Sequence, residues 1–230
     1  MIDWHSHILS GMDDGSRDVQ ESVSMLEALR AQGVDTVIAT PHFYANDESL
    51  ESFLSRRNDS YLALKEQLTE ELPRILLGAE VRYYPGICRM SDLERLTIGS
   101  TSLLLIEMPM RRWTEYTVKE LIELAGSPNV TVVMAHVERY LSLQSSSVWK
   151  RLRDCGILMQ INASFFDGAF KRRKAFKLLE KGYVQLIGTD CHNMTSRPPA
   201  IDVAYSFIDK KLGHRFVSRM IKFGYNMLNI

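Results

Sequence analysis

A chain of 230 residues suits one large α/β sheet or barrel better than two domains with separate cores, so a single domain over 1–230 is expected. Its 28 basic and 28 acidic residues cancel, which argues against nucleic acid or an anionic membrane as partner. The three cysteines are scattered without a CxxC, no apolar run approaches the ~20 residues of a membrane helix, and MIDWHSH is no secretory leader, so a cytoplasmic protein without membrane insertion is expected.

Short runs rich in Val, Ile and Leu alternate with segments of helical period. The first strand-like run, 1–4, leads into His5 and His7, and a helix over 22–30 puts Val23, Leu26 and Leu29 on one side. The second, 34–40, ends at His42. Leu50, Phe53, Leu54, Tyr61, Leu64 and Leu68 then stripe a long helix over about 48–71. The third run, 75–81, carries Glu80, and the fourth, 102–107, ends in Glu107. A helix over 114–125 precedes the fifth run, 130–135, which ends at His136. A helix over 147–154 precedes the sixth, 157–161, which ends at Asn162. After a helix over 173–181, the seventh run, 184–188, leads to Asp190 and His192, and two helices follow over 199–227.

Strand and helix in alternation argue for a parallel α/β domain. Periodicity alone leaves open whether the sheet closes, but the strand ends bear on it. Five of the six histidines stand at them, His214 alone lying elsewhere. Strands that converge would bring these side chains together at the carboxyl end of a barrel, where α/β barrels build their sites. His5 and His7, two apart on extended chain, share a face. Imidazole with carboxylate suits Mn²⁺, Fe²⁺ or Zn²⁺, and several acidic ligands allow one carboxylate to bridge two ions.

The segments MIDWHSHILSGMDDGS, VIATPHF, LLGAEVRYY, LLIEMP, VVMAHVERY, MQINASFFDG and GTDCHNMTSRPP, spread over residues 1–199, resemble the PHP (polymerase and histidinol phosphatase) family. Within it the chain is similar to bacterial protein tyrosine phosphatases encoded with capsule and exopolysaccharide genes. The resemblance implies a distorted (β/α)7 barrel with three divalent metals, manganese or iron, with zinc also possible. One metal would use His5, His7, Glu80 and Asp190. A second would share Glu80 and add Glu107 and His136, and the third would use Asp14, His42 and His192. Arg139 and Arg197 match the family's phosphate-binding arginines. The implied reaction is hydrolysis of phosphotyrosine by hydroxide generated on the metals, without a covalent enzyme intermediate. The implied partner is the phosphorylated tail of a polysaccharide-regulating tyrosine kinase.

Three alternatives stand beside this reading. The substrate is a small phosphomonoester such as histidinol phosphate, or the chain is a non-catalytic, metal-stabilised binding module. In the third, Cys191 and Arg197, at Cys-x5-Arg spacing, form a thiolate phosphatase loop, although that stretch has no Gly to curl around phosphate. Two further segments bear on substrate: Arg111-Arg112-Trp113, and Phe165, Phe166 and Phe170 with Lys171 to Lys174. They either grip an acidic or tyrosine-rich tail or form an ordinary helix start over core aromatics.

Overall fold

A computed structural model describes all residues, 1–230. Seven strand runs appear where the apolar segments stand: β1 (Ile2–Ser6), β2 (Thr36–Ala39) continued by β3 (His42–Phe43), β4 (Arg74–Leu77) continued by β5 (Glu80–Arg82), β6 (Leu103–Glu107), β7 (Thr131–Met134), β8 (Leu158–Asn162) and β9 (Leu186–Gly188). Every pairing is parallel, in the orders β1-β2-β4 and β3-β5-β6-β7-β8-β9.

The second and third runs break at the same level. Pro41 has no N–H to give to a ladder, and Gly78 breaks the adjacent run. Hydrogen bonds from Gly78 N to Ala39 O (2.8 Å) and from Glu80 N to Pro41 O (3.0 Å) carry the pairing across the bend. The two sheets are therefore one curled sheet, and its edges meet. Asp190 N donates to His5 O (2.7 Å) and His7 N to Cys191 O (2.9 Å), joining the last strand run to the first. The result is a distorted seven-stranded α/β barrel. Its seam is tight: a Cβ on Gly188 would sit 2.6 Å from His5 Cβ and 2.7 Å from His5 N.

The helices are α1 (Val19–Ala31), α2 (Leu50–Lys65), α3 (Glu115–Ala125), α4 (Ser146–Asp154), α5 (Ala169–Glu180), α6 (Asp202–Leu212) and α7 (His214–Leu228). Asp18, Ser49, Thr114 and Ser145 cap the first four through side-chain oxygens, each satisfying an otherwise orphaned amide. Helix α2 is shorter than its stripe suggests: stopping at Lys65 leaves a cation in the last turn, whereas running on to 71 would end the helix on Glu70 and Glu71.

One connection departs from strand–helix alternation. Between β5 and β6 the chain makes only two short 3-10 turns, Ile87–Arg89 and Leu93–Leu96, with Ile87, Leu93 and Leu96 buried. Glu120 of α3 holds this segment, accepting from the Tyr83 hydroxyl and from Gly86 N (2.7 Å). Burial opposes the Glu120 charge, but these hydrogen bonds outweigh it and lower its pKa.

Apolar residues fall in two layers. A small inner cluster, including Ile2, Trp4, Ile38, Leu103, Leu105, Val133 and Leu186, fills the barrel, with Leu228 of α7 packed against it. Leu104, Ile106, Val132 and Met134 belong instead to the larger cluster that the helices share. Alternation on β6 thus sends Leu103, Leu105 and Glu107 the same way, so the axis runs from apolar floor to acidic mouth. On β1 the alternation is interrupted. Asp3 to Ser6 takes three steps against two from Val37 to Ala39 on β2, a bulge. It resets the parity after Trp4 and turns His5 and His7 inward above the apolar floor.

Candidate metal centre

Each strand end delivers a polar side chain to one volume at the barrel mouth. His5, His7, Glu80, His136, Asp190 and His192 are buried, His42 and Glu107 half-buried, and Asp14 is exposed. Two of the backbones are strained for this purpose. His136 (φ 33°) and Asp190 (φ 56°) lie in the left-handed region, which costs a non-glycine residue about 1–3 kcal/mol.

Glu80 sits at the centre. Its Oε1 lies 2.7 Å from His136 Nε2, while Oε2 lies 2.9 Å from His42 Nδ1, 3.3 Å from His5 Nε2 and 3.5 Å from His7 Nε2. Two oxygens aimed at different donor sets are what a bridging carboxylate requires. On one side, His5 Nε2 and His7 Nε2 are 3.6 Å and 3.5 Å from Asp190 Oδ1. On the outer side, Asp14 Oδ1 is 3.6 Å from His42 Nε2 and 3.3 Å from His192 Nε2. Glu107 Oε1 stands 3.7 Å from His136 Nε2. The structure therefore brings together all nine residues expected from the sequence. The clusters of donor atoms are His5, His7 and Asp190; His7, Asp14, His42 and His192; and His42, Glu80 and Glu107. His7 and His42 each belong to two clusters.

The donor set fits divalent cations. His7 Nδ1 bonds to Asp13 Oδ2 (2.7 Å) and His5 Nδ1 faces Gln160 Oε1 (3.4 Å), so both rings spend their N–H on those acceptors. The two Nε2 atoms then face each other at 3.2 Å, and the proton His7 takes up stands between them, where a shared cation would sit. His42 Nδ1, Glu80 Oε2 and His192 Nε2 are also buried without a hydrogen-bond partner.

Proton affinities report the same field. Burial alone would lower the pKa of His7, but the carboxylates of Asp13, Asp190 and Glu80 raise it well above its ordinary value. Glu80 would rise on burial, yet His5, His136 and His42 hold it well below the usual carboxylate range. His192 is lowered to about 4 by burial and by the charges of His7 and Arg197, leaving a neutral imidazole.

Arg139 and Arg197 flank the group. Arg139 Nη2 donates to Asp190 Oδ2 (2.6 Å) and Arg197 Nη2 lies 2.8 Å from Asp190 Oδ1. Each keeps over a third of its side chain open to solvent, so both stand at the rim.

Some contributors are not visible in periodicity or spacing. Asp13, the neighbour of Asp14, accepts from His7 Nδ1, from His42 N (2.8 Å) and from Gly15 N (2.9 Å), so it orients the His7 imidazole and fixes the backbone at His42. Gln160 accepts from His136 N (2.7 Å) and donates to Asn162 Oδ1 (3.0 Å), and Asn162 donates to Asp190 Oδ2 (2.8 Å). This relay pins three strand ends and was legible only as two amides two apart in an apolar strand. Tyr140 places its hydroxyl 3.1 Å from His136 Nδ1.

The thiolate alternative does not fit. Cys191 is buried at 1% exposure, and burial, with Asp3 and Asp190 adding, pushes its pKa well above the ordinary thiol value. The amides of Thr195, Ser196 and Arg197, which a phosphate loop would need, are taken by Asn193 Oδ1 at 3.0, 2.7 and 3.1 Å. Trp113 and Phe166 are core residues, whereas Phe170 is 72% exposed with Lys174 Nζ 4.5 Å from its ring centre.

The fold and this site define a parallel α/β barrel with a histidine–carboxylate centre suited to divalent cations. Residues 1–228 match the family described as capsular polysaccharide synthesis, CpsB/CapC, and the chain belongs to that family. It is 33% identical over 235 residues to the tyrosine-protein phosphatase CpsB of Streptococcus pneumoniae, covering 93% of this chain and 91% of that one. It is 31% identical over 219 residues to the tyrosine-protein phosphatase YwqE of Bacillus subtilis (strain 168), covering 93% and 85%. Crystal structures of YwqE and of CpsB from S. pneumoniae, described as unique metal-dependent tyrosine phosphatases, include a chain that superposes with a TM-score of 0.79 at 25% identity, covering 96% of this chain and 92% of that one.

Proposed function

We propose that the chain, acting as one domain over 1–230, is a divalent-metal-dependent protein tyrosine phosphatase. Its substrate is a phosphotyrosine protein of capsule or exopolysaccharide synthesis, specifically the tail of a tyrosine kinase on the cytoplasmic side. The observation that carries the reading is the convergence of the His5 and His7 Nε2 atoms, 3.2 Å apart, on Oε2 of Glu80, beneath two rim arginines.

The ligand sets proposed are His5, His7, Glu80 and Asp190; Glu80, Glu107 and His136; and Asp14, His42 and His192, for three ions of manganese or iron. Divalent cations there supply Lewis acidity, lowering the pKa of water from 15.7 towards ~7 and neutralising phosphate charge. The protein's own groups do the rest. Arg139 and Arg197 present planar forks of N–H donors at the rim, matched to the equatorial oxygens of a phosphoryl group. Asp13 and Gln160 hold His7 and His5 with their Nε2 atoms inward. A phenolate leaves with a pKa near ~10, so little proton donation is needed at the bridging oxygen.

The test is phosphate release from a phosphotyrosine peptide by chelator-stripped protein, with and without Mn²⁺. Activity lost on stripping and restored by metal supports the reading. Activity that survives stripping overturns it, and a strong preference for histidinol phosphate would move the substrate.

A further inference from the structure

Glu80 and Arg82 lie two residues apart on β5, so their side chains leave the same face of the strand. Arg82 stands about 7 Å further toward the mouth, at ~3.3 Å per residue. Its register partner on β6 is Glu107, but that carboxylate faces His136 and Arg139. The Arg82 guanidinium instead lies 5.4 Å from the centre of the Tyr44 ring. That ring stacks on His42, with centroids 5.3 Å apart and planes at 20°. His42, Tyr44 and Arg82 thus form a row leading out of the metal centre.

Beyond the row is a cavity of about 280 Å³ lined by Arg82, Tyr83, Pro85, Pro109, Met110 and Arg111. Its walls hold two exposed arginines and no acidic residue. The chain as a whole is neutral, so two uncompensated cations around one hollow beside an anion-handling site are a local charge excess. On the other side of Arg82, the hollow walled by Tyr44 and Tyr84 includes Asp47, which makes it the poorer anion site.

We propose that the cavity between Arg82 and Arg111 is a subsite for a second negative charge on the substrate, one or two residues from the scissile phosphotyrosine. The Tyr44 ring lines the path of the scissile tyrosine ring. The inference rests on the phosphotyrosine reading above. The ~7 Å from the Glu80 level to the Arg82 level runs along the path of the scissile side chain, so the peptide backbone crosses the mouth near Arg82 and a side chain one or two residues away reaches the cavity. The group recognised is an oxyanion, either a carboxylate side chain or another phosphotyrosine. Because both arginines are solvent-exposed, the preference is modest, about three- to tenfold, and weakens with salt.

The full chain with excess Mn²⁺ is assayed for kcat/KM on three phosphotyrosine peptides that differ two residues from the scissile position. One carries Ala there, one Glu, and one a non-hydrolysable phosphonate analogue of phosphotyrosine. The expected result is a three- to tenfold preference for the anionic peptides, residing in KM and shrinking in high salt. Arg82→Gln or Arg111→Gln reduces the ratio, and the double variant brings it near one. The more strongly preferred arm identifies the oxyanion. A wild-type ratio of one, or a ratio that persists in the double variant, overturns the subsite while leaving the phosphatase reading intact. No phosphate release from any peptide overturns both.

Discussion

Asp13 and Asp14 are adjacent in the chain, yet the structure gives them opposite duties, and substituting each with Asn separates them. Asp13 accepts three hydrogen bonds, from His7 Nδ1, His42 N and Gly15 N. An asparagine has one acceptor oxygen. Turned toward His7 and His42, it sets its NH₂ against the Gly15 N–H, donor against donor. Turned the other way, it forces the His7 proton onto Nε2 and removes a lone pair from the centre. The first arrangement loses a charge-assisted bond and strands a donor, together about 2–4 kcal/mol of stability. Metal affinity falls about 10–100-fold through misorientation of His7. Asp14 is 67% exposed, so Asp14→Asn leaves stability almost unchanged and weakens metal binding alone. Urea unfolding of the stripped proteins and calorimetric Mn²⁺ titration read the two quantities. The low pKa of Asp13, where the hydrogen bonds and charge of His7 overcome burial, adds a pH signature. A depressed folded-state pKa contributes stability above the unfolded value of ~3.9, lost as pH falls below it, so the Asp13→Asn deficit shrinks in acid. An Asp13→Asn protein with wild-type stability and Mn²⁺ affinity within twofold would refute the orienting role.

Asp3 shows the opposite sign. Burial raises its pKa to about 6, despite bonds from Thr189 N (2.8 Å) and Thr189 Oγ1 (2.6 Å). A raised folded pKa means stability is greatest below ~3.9 and falls as pH rises through about 6. Asp3→Asn, whose amide still serves Thr189, is expected to stabilise the protein by up to ~3 kcal/mol at pH 7.5 and hardly at all at pH 4, read by thermal unfolding. Gly188→Ala drives a methyl group into the His5 backbone and costs at least ~2 kcal/mol, lowering Tm; an unchanged Tm would mean the seam is looser than described. Cys191→Ala retains phosphatase activity within about threefold, whereas a thiolate nucleophile would lose at least ~10³-fold.

The strand ends were legible because a parallel barrel gives each strand the same direction, so any polar residue closing an apolar run arrives at the same mouth. That logic located His42, Glu107, His136 and Asp190 without reference to tertiary contacts. No helical stripe stands out between the third and fourth strand runs, and residues 83–101 indeed satisfy their backbone through 3-10 turns and the Glu120 carboxylate. Asp14 came only from the family resemblance. Asp13 and Gln160 act through hydrogen bonds to ring nitrogens and amides, a relation in three dimensions that no spacing along one strand encodes. The bulge on β1 is of the same kind. Simple alternation puts His5 and His7 on one face, but which face depends on the extra residue opposite β2.

The β1–β9 seam bears on how the protein is made. The backbone atoms that close it belong to His5, His7, Asp190 and Cys191, three of them residues whose side chains join one cluster of donor atoms. During synthesis the first strand waits at an open sheet edge until Asp190 and Cys191 have left the ribosome. Neither the closed barrel nor a complete set of donors exists before then. A nascent chain that stops short of Asp190 therefore has no partial activity to misdirect, and completion of the donor set coincides with the last joining of strands.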